Sequence, residues 1–260
     1  MSESYLDRLF NLKNKIVLVT GATGQLGSAI CKAYLAAGAR IVGTDKDLNP
    51  RKVVKNKNAR YLELDVTRKD AVEDIFGRID KEIGHVDILV NNAGVNVFTS
   101  FENRTEEEWD WVSDVNLKGT FFCLQAYVDK AKKKRKGGNI INVASLYGVV
   151  SPDFRIYTDC ARHNPEVYGA VKAGVIQMTK YFAVHLAKYK IRVNCVSPGG
   201  IFNPQSPQGK DFIKNYSYRC PTGRMADTDE IVGGVLYLSS DAASYTTGVN
   251  LMIDGGISCW

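Results

Sequence analysis

Residues 16–27 read Ile-Val-Leu-Val-Thr-Gly-Ala-Thr-Gly-Gln-Leu-Gly, and this stretch decides the fold. Its first four residues are apolar and mostly β-branched, which is typical of a strand buried on both faces of a sheet. Gly21, Gly24 and Gly27 then mark a tight turn, and a helical pattern begins at Gln25. A glycine-rich turn that leads from a first strand into a helix lets backbone N–H groups and the positive end of the helix dipole approach a pyrophosphate. The stretch therefore predicts a βαβ unit that binds a dinucleotide.

The alternation of strand and helix continues along the rest of the chain. The predicted strands are Ile16–Thr20, Arg40–Thr44, Arg60–Leu64, Val86–Asn91, Asn139–Ala144, Ile191–Val196 and Val249–Ile253. The predicted helices are Gln25–Ala37, Ala71–Ile83, Glu106–Asn116, Gly119–Lys133, Pro165–Lys188 and Asp227–Ser239. Strands that are separated by helices pair in parallel through right-handed crossovers. We predict an α/β protein with one Rossmann domain over residues 1–260, a doubly wound parallel sheet of about seven strands with helices on both faces.

Composition excludes several classes of function. The 260 residues are 45% apolar and 24% charged, with a net charge of +6, which is ordinary for a globular enzyme. The basic cluster within 130–136 is interpreted as a solvated helix end, since no nucleic-acid-binding signature accompanies it. Six scattered cysteines show no spacing typical of a metal site, and no signal peptide or membrane-spanning run is evident. We expect a cytoplasmic protein with a small-molecule substrate and no metal, nucleic-acid or membrane partner.

Asp45 stands where the second strand ends, 24 residues after Gly21. A carboxylate at this point can accept hydrogen bonds from both hydroxyls of a ribose and would repel a 2′-phosphate. NAD is therefore favoured over NADP as cofactor. Two observations leave an alternative open, because an aspartate at a strand end is also common in turns and because Lys46 can offset part of the repulsion.

A tyrosine and a lysine form the candidate acid/base pair. Tyr168 and Lys172 are four residues apart on a predicted helix and thus share one face. A free phenol has a pKa of about 10, and a neighbouring ammonium would lower it. Ser145 follows the fifth strand, at the carboxyl edge where open α/β sheets bind ligands. Its hydroxyl can hydrogen-bond the substrate oxygen.

Each of these residues also has an ordinary structural interpretation. A Tyr and a Lys at this spacing occur on many surface helices, a serine after a strand is often a turn residue, and Asn116 fits the N-cap of the helix that follows it. Two other tyrosines are weaker candidates for the acid. Tyr157 is followed four residues later by Ala161, and Tyr181 by His185, so neither has a lysine at that offset.

The order of motifs along the chain resembles that of the short-chain dehydrogenase/reductase superfamily. The motifs are Thr20–Gly27, Asp65-Val66, Asn91-Asn92-Ala93-Gly94, Asn116, Ser145, Tyr168-Gly-Ala-Val-Lys172, Ser197-Pro198-Gly199 and Asp254-Gly255-Gly256. The resemblance covers essentially the whole chain. The segment from Ser145 to Lys180 is also similar to oxidoreductases of bacterial surface-sugar pathways, including those of flagellin modification.

The resemblance implies roles for particular residues. The catalytic set would be Asn116, Ser145, Tyr168 and Lys172, with Asn116 anchoring a water that relays protons to Lys172. Together with the turn and the ribose carboxylate, the expected cofactor contacts are Gly21, Thr23, Gly24, Gln25, Leu26, Gly27, Asp45, Asp65, Val66, Asn92, Ala93, Gly94, Tyr168, Lys172, Pro198, Gly199 and Ile201. The candidate substrate contacts are Asn96, Ser145, Arg155 and Asn203.

The chain departs from the family pattern in three places. Gln25 replaces a common glycine, which gives the turn a spacing typical of the extended branch, although too few residues follow Lys172 for the substrate domain of that branch. Residues 151–166 form an insertion beside the predicted site, where specificity is expected to reside. Its basic residues Arg155, Arg162 and His163 fit either a phosphate or carboxylate group of the substrate or salt bridges at a subunit interface. The third departure is Asn203, at a position where threonine is frequent.

The motifs together predict an NAD-dependent oxidoreductase acting on an alcohol or ketone, with a polar hydroxylated substrate such as a sugar or sugar derivative. Residues 202–223, rich in Pro, Gln and Gly, are predicted to be a loop or lid over the substrate. One alternative is a 3-oxoacyl-thioester reductase, which would have a more apolar cleft and usually uses NADP. Another is a dinucleotide-binding regulator without turnover, although a regulator has no need of the proton relay. The resemblance also implies a homo-oligomer, either a dimer or a tetramer.

Overall fold

The computed structural model describes residues 4–49, 51–159, 163–205 and 208–260. Ala161 and Arg162 lie outside the described residues. The strands are β1 Ile16–Thr20, β2 Arg40–Asp45, β3 Ala59–Glu63, β4 Ile88–Asn91, β5 Gly138–Val143, β6 Ile191–Pro198 and β7 Asn250–Ile253. The α-helices are α1 Tyr5–Phe10, α2 Gln25–Ala36, α3 Lys69–Glu82, α4 Glu106–Ser113, α5 Gly119–Lys134, α6 Glu166–Leu186, α7 Lys210–Arg219 and α8 Thr228–Ser239.

The seven strands form one sheet in the order β3-β2-β1-β4-β5-β6-β7, and every pairing is parallel. The chain winds outward from β1 in one direction to β3 and then returns to add β4 on the other side. The carboxyl ends of β1 and β4 therefore border a crevice, the place where open α/β sheets bind ligands. The predicted doubly wound Rossmann fold is confirmed.

Alternate residues of the buried strands face opposite layers of helices. Leu18 and Leu89 belong to the core beneath α3, α5 and α6, whereas Val17 and Val90 belong to the core beneath α2 and α8. Burial on both faces explains the nearly continuous apolar runs in these strands. In the described part of the chain, no helix is both long and apolar enough to cross a membrane.

Two sequence predictions about helices are wrong, and one helix was not predicted. The expected break after Asn116 is absent, because α4 continues through a π-helical stretch, Asp114–Lys118, directly into α5. The predicted loop 202–223 contains the ten-residue helix α7. The short helix α1 was not predicted, and its signal is a capping box between Ser4 and Asp7.

Candidate active site

The glycine-rich turn after β1 packs tightly against the end of β4. Gly21 has a φ of +64°, and a Cβ there would lie 2.8 Å from the Cα of Ala93. A Cβ at Gly27 would overlap the carbonyl oxygen of Gly21. Gly24 is the N-cap of α2 and supplies no side-chain cap, so the first N–H groups of this helix remain open to an anion.

A cleft of about 660 Å³ opens along this turn and the carboxyl ends of the neighbouring strands. It brings together every predicted cofactor residue between positions 21 and 94, which are Gly21, Thr23, Gly24, Gln25, Leu26, Gly27, Asp45, Asp65, Val66, Asn92, Ala93 and Gly94. Lys52 and Trp111 also line the cleft and were missed. Neither belongs to a motif, and only the folding of distant segments brings them to the cleft.

The carboxylate of Asp45 holds the turn as well as facing the cleft. One oxygen, Oδ2, accepts hydrogen bonds from the backbone N–H of Thr23 at 3.0 Å and from its hydroxyl at 2.6 Å. The ammonium of Lys46 lies 3.3 Å from a carboxylate oxygen of Asp65. Burial opposes ionisation of Asp65, but hydrogen bonds from Thr67 and the Lys46 ammonium outweigh it and lower the pKa of this carboxyl group. The Lys46 ammonium is thus paired with Asp65. It therefore compensates less of the Asp45 charge than the adjacency of the two residues in the sequence implies.

Tyr168, Ser145 and Lys172 lie together beside the carboxyl end of β5. The Ser145 side chain acts on the Tyr168 phenol and favours its ionised form. The Lys172 ammonium donates to the carbonyl oxygen of Val143 at 2.9 Å and lies 5.5 Å from the centroid of the Tyr168 ring. Burial lowers the pKa of Lys172 to about 8. Tyr157, one of the weaker candidates, has its hydroxyl in this region too, 3.4 Å from that of Tyr147.

The pKa of Tyr168 differs from the sequence expectation. Burial raises the pKa of this phenol, and the side chain of Ser145 only partly opposes the change. The expected lowering by Lys172 does not dominate, because the ammonium lies against the ring face and bonds to a backbone carbonyl. Tyr168 is therefore protonated at neutral pH, which is the form that donates a proton to a carbonyl oxygen.

Asn116 lies inside the π-helical stretch and does not cap a helix. Its amide nitrogen donates to the carbonyl oxygens of Val95 and Val112, each at 2.9 Å. Its side-chain oxygen is buried and has no hydrogen-bond partner among the described residues. A Cβ at Gly94 would lie 2.8 Å from this oxygen and 3.6 Å from the nitrogen of Lys172, so both atoms border one space. An unpaired buried acceptor next to a buried ammonium is the pair of partners that a bridging water requires.

Pro198, Gly199 and Ile201 do not line the cleft, although the loop after β6 reaches it, since the Phe202 carbonyl oxygen accepts a hydrogen bond from the Gln25 amide at 2.7 Å. Pro198 ends β6, and Gly199 lines a small separate cavity near Tyr216. Ile201 forms an isolated parallel bridge with Ala226. The structure therefore does not bring these three predicted cofactor contacts to the walls of the large cleft.

The structure does not bring the predicted substrate contacts Asn96, Arg155 and Asn203 into one site. Asn96 donates from its amide to the side-chain oxygen of Asn164 at 3.2 Å, close to the active-site residues. Arg155 instead projects into solvent and pairs with Asp153 at 2.8 Å. Asn203 accepts a hydrogen bond from a backbone N–H of its own loop. The expectation that Arg155 contacts the substrate does not agree with this geometry, because its guanidinium is 87% exposed and is paired with Asp153.

A second pocket, of about 450 Å³, lies between the insertion and the loop that follows β4. We call it the insertion pocket. Its lining residues are Thr99, Ser100, Phe101, Tyr147, Gly148, Val149, Val150, Ser151, Pro152, Phe154, His163, Asn164, Pro165, Glu166 and Gly169. His163 packs edge-on against Phe154, with ring centroids 5.3 Å apart. Sequence analysis identified His163 but missed Tyr147 and Asn164, which belong to no recognised motif.

The insertion also makes hydrogen bonds to helix α7. Asp159 Oδ2 accepts hydrogen bonds from the backbone N–H groups of Asp211 and Phe212, at 3.1 and 3.2 Å. The side chain of Asn215 donates to the hydroxyl of Thr158 at 3.0 Å. The insertion and the predicted lid therefore form one packed unit.

Comparisons with known proteins find similar sequences and structures over nearly the whole chain. The family model described as enoyl-(acyl carrier protein) reductase matches residues 21–258. A 3-oxoacyl-(acyl-carrier-protein) reductase of Thermotoga maritima is 36% identical over 254 residues, which are 95% of this chain and 98% of that protein. An NAD-dependent glycerol dehydrogenase of Listeria innocua is 33% identical over 96% of each chain. The crystal structure of a short chain dehydrogenase from Leptospira borgpetersenii with bound NAD+ is 42% identical, with a TM-score of 0.90 over 99% of this chain and 97% of that chain.

Proposed function

The chain belongs to the short-chain dehydrogenase/reductase superfamily and is an NAD(P)-dependent oxidoreductase, and we propose that its cofactor is NAD and its substrate a polar hydroxylated alcohol or ketone, such as a sugar derivative. The observation that carries the proposal is the grouping of Tyr168 and Ser145 beside the buried ammonium of Lys172. The NAD-dependent glycerol dehydrogenase of Listeria innocua, whose name states a small polyol substrate, supports both parts.

The large cleft fits a dinucleotide along its length. The open N–H groups of α2 and the turn would hold the pyrophosphate. Asp45 would hold the adenosine ribose, and Asp65 and Val66 would contact the adenine. When bound, the nicotinamide supplies or accepts the hydride. The unpaired oxygen of Asn116 lies beside Gly94, which lines the cleft, and this supports a role for Asn116 in proton transfer near that part of the cleft.

The protein's own residues handle the proton. In the direction of reduction, Ser145 holds the substrate oxygen and Tyr168 donates a proton to it while the carbon is reduced. The resulting phenolate is stabilised by the Lys172 ammonium and regains a proton through Lys172 and a water held at Asn116. Oxidation of an alcohol uses the same groups in reverse, with Tyr168 as the base. The raised pKa of Tyr168 keeps the phenol protonated at neutral pH, so its proton is available to the substrate oxygen.

Replacing Tyr168 tests this assignment. Tyr168→Phe removes the hydroxyl and keeps the ring, so we expect turnover to fall by about 10²- to 10⁴-fold, while NADH fluorescence titration shows unchanged cofactor affinity. The matched control is Tyr157→Phe, which removes a nearby hydroxyl and is expected to keep most activity. Loss of NADH binding in Tyr168→Phe, or activity equal to that of the unaltered enzyme, would contradict the role.

A second candidate substrate class is a 3-oxoacyl thioester, favoured by the 36% identity to the reductase of Thermotoga maritima. NADH oxidation with a panel of keto-sugars and with acetoacetyl thioesters separates the two. Preference for a keto-sugar in kcat/KM supports the proposal. Preference for the thioester supports the second candidate, and tight NADH binding without oxidation by any carbonyl compound would indicate a regulator.

A further inference from the structure

The insertion pocket has aromatic walls that are open to a ligand. Phe101 and Phe154 are both exposed, and they line the same pocket as His163 and Tyr147. Binding pockets in enzymes combine such apolar surfaces with a small number of polar groups that fix the orientation of the ligand. Aromatic faces of this kind suit the flat or weakly polar faces of a ring.

Two polar side chains of the pocket have hydrogen-bonding capacity to offer. Asn164 is only 8% exposed, and its oxygen accepts from Asn96. Its nitrogen lies 3.5 Å from the carbonyl oxygen of Pro165, at the limit of a hydrogen bond, so this donor is poorly satisfied. Glu166 binds Arg104 through Oε1 at 3.2 Å, which leaves Oε2 as an acceptor at the pocket.

Tyr147 connects the pocket to the reacting groups. It lines the pocket, and its hydroxyl lies 3.4 Å from that of Tyr157. Burial above all, with the neighbouring phenols of Tyr157, Tyr216 and Tyr168, raises the pKa of Tyr147. Gly169, the residue that follows Tyr168 on α6, also lines the pocket. A ligand in this pocket would therefore contact the segment of α6 that carries the proton donor.

We propose that the insertion pocket binds the part of the substrate distant from the reacting carbon, and that this part is an uncharged hydroxylated ring. The ring faces would lie against Phe101 and Phe154, and hydroxyls at its edge would bind Asn164 and Glu166. A phosphate ester would meet the Glu166 carboxylate, whose partner Arg104 also pairs with Glu108, and the described lining residues include no Lys or Arg that would compensate. The inference rests on the proposed oxidoreductase function and adds the substrate class.

Kinetics with paired substrates test the proposal. The probes are myo-inositol and methyl glucoside as uncharged rings, glycerol as a substrate too small to reach the pocket, and myo-inositol 1-phosphate as the charged ring. Phe154→Ala should raise KM for a ring alcohol about tenfold, the scale of one lost aromatic contact, and leave KM for glycerol within twofold. Tyr218→Ala, which removes an exposed aromatic residue of α7 outside the pocket, is the control.

Binding without turnover separates failure of this inference from failure of the function. Saturation-transfer NMR of each probe with the NADH-loaded protein should show ring binding that weakens in Phe154→Ala and in the isosteric Asn164→Asp. Ring binding in the absence of any turnover would support the pocket and reject the proposed reaction. The inference is overturned if neither ring binds, if both variants bind as the unaltered protein does, or if the phosphate ester is preferred and Arg162→Ala abolishes that preference.

Discussion

Lys172 is a buried ammonium whose hydrogen bond to the Val143 carbonyl does not offset the loss of water. Its pKa falls from 10.5 to about 8 on folding. Between those values the unfolded chain binds more protons at this site than the native protein does, so the free energy of unfolding rises with pH across this window. Below pH 8 both states are protonated and the native state carries the full cost of burying the charge.

Replacing Lys172 by a neutral side chain of similar size should reveal the free-energy cost of burying its charge. At pH 7 we expect Lys172→Met to unfold less readily than the unaltered protein, although it is inactive. The difference in the free energy of unfolding between the two proteins should shrink by about 2 kcal/mol between pH 7 and pH 10, because the native lysine is largely neutral at pH 10. Urea denaturation at both pH values measures it, with Lys180→Met on the same helix as a control that should show no such change. A difference that is independent of pH would refute the shifted pKa.

Asp45 should determine the choice between the two dinucleotides. Asp45→Ser removes a negative charge that faces the cleft, and we expect the ratio of kcat/KM for NADH to that for NADPH to fall at least tenfold. The same change also removes the acceptor of the Thr23 hydrogen bonds, so activity with both cofactors should decrease. Thr23→Val loses the hydroxyl bond but retains the carboxylate. An equal change of the ratio in both variants would show that turn geometry, and not charge, sets the preference.

Individual residues were predictable where their role is set by local sequence. The spacing of Tyr168 and Lys172 places them on one helical face, and the structure brings both beside Ser145. The direction of the pKa shift of Tyr168 was not predictable, since it depends on burial by segments distant in sequence. The outward direction of Arg155 was also not predictable, because it follows from its pairing with Asp153 in a turn of the insertion.

Among the elements, α7 depends on a cap supplied from another segment. Its own N-cap, Gly209, provides no side-chain hydrogen bond, and Asp159 supplies the acceptor instead. A Cβ at Gly209 would overlap the Asp159 carboxylate, which explains the glycine. At its other end α7 is held by Arg219, which lies 3.5 Å from Asp153.

Removing the cap should loosen the helix without unfolding the protein. We expect Asp159→Ala to cost about 1 kcal/mol locally and to speed amide hydrogen exchange in α7 by about fivefold. Because α7 also carries Tyr216, whose hydroxyl accepts from the Gly200 N–H at 2.5 Å, KM for the substrate should rise more than kcat falls. Asp159→Asn keeps an acceptor oxygen and should restore most of the protection. Exchange in α7 that is equal in all three proteins would show that the cap is dispensable.

The origin of this cap explains why α7 escaped prediction while the long helices did not. Helices α2 and α6 carry apolar stripes that are visible in a local window, and the strands carry β-branched runs. The acceptor for the first turn of α7 comes from the insertion, so no local start signal exists. The π-helical stretch around Asn116 was missed for a related reason. The amide of Asn116 donates to the Val112 carbonyl oxygen inside a continuous helix. The sequence pattern alone indicates a helix boundary at this residue.

On the scale of the whole molecule, the insertion, α7 and the C-terminal turn share one apolar cluster. It contains Ile156 from the insertion, Phe212 and Tyr216 from α7, and Ile257 near the C-terminus. This cluster is separate from the two cores that flank the sheet, and Tyr147 and Val150, which pack against it, also line the insertion pocket. In the proposed function, the parallel sheet would supply the dinucleotide cleft and the added unit would supply the surroundings of the substrate.

The outer face of α6 is the surface on which we expect subunits to associate. Val184 is 83% exposed and Tyr181, one turn earlier on the same face, is 60% exposed, an unusual amount of apolar surface for a helix in water. Burial against a second copy would remove this surface from water, in agreement with the homo-oligomer that the family resemblance implies. We therefore expect the protein to sediment as a dimer or tetramer.

A charge on this face should weaken association and leave the fold intact. Val184→Glu places a carboxylate at the proposed contact, where its desolvation opposes assembly, so the dissociation constant should rise at least tenfold. Sedimentation velocity over a range of protein concentrations measures the change. Tyr218→Glu introduces the same charge at a residue of α7 that is 92% exposed and should leave association unaltered. A monomeric unaltered protein, or equal sedimentation of both variants, would mean that α6 does not form the interface.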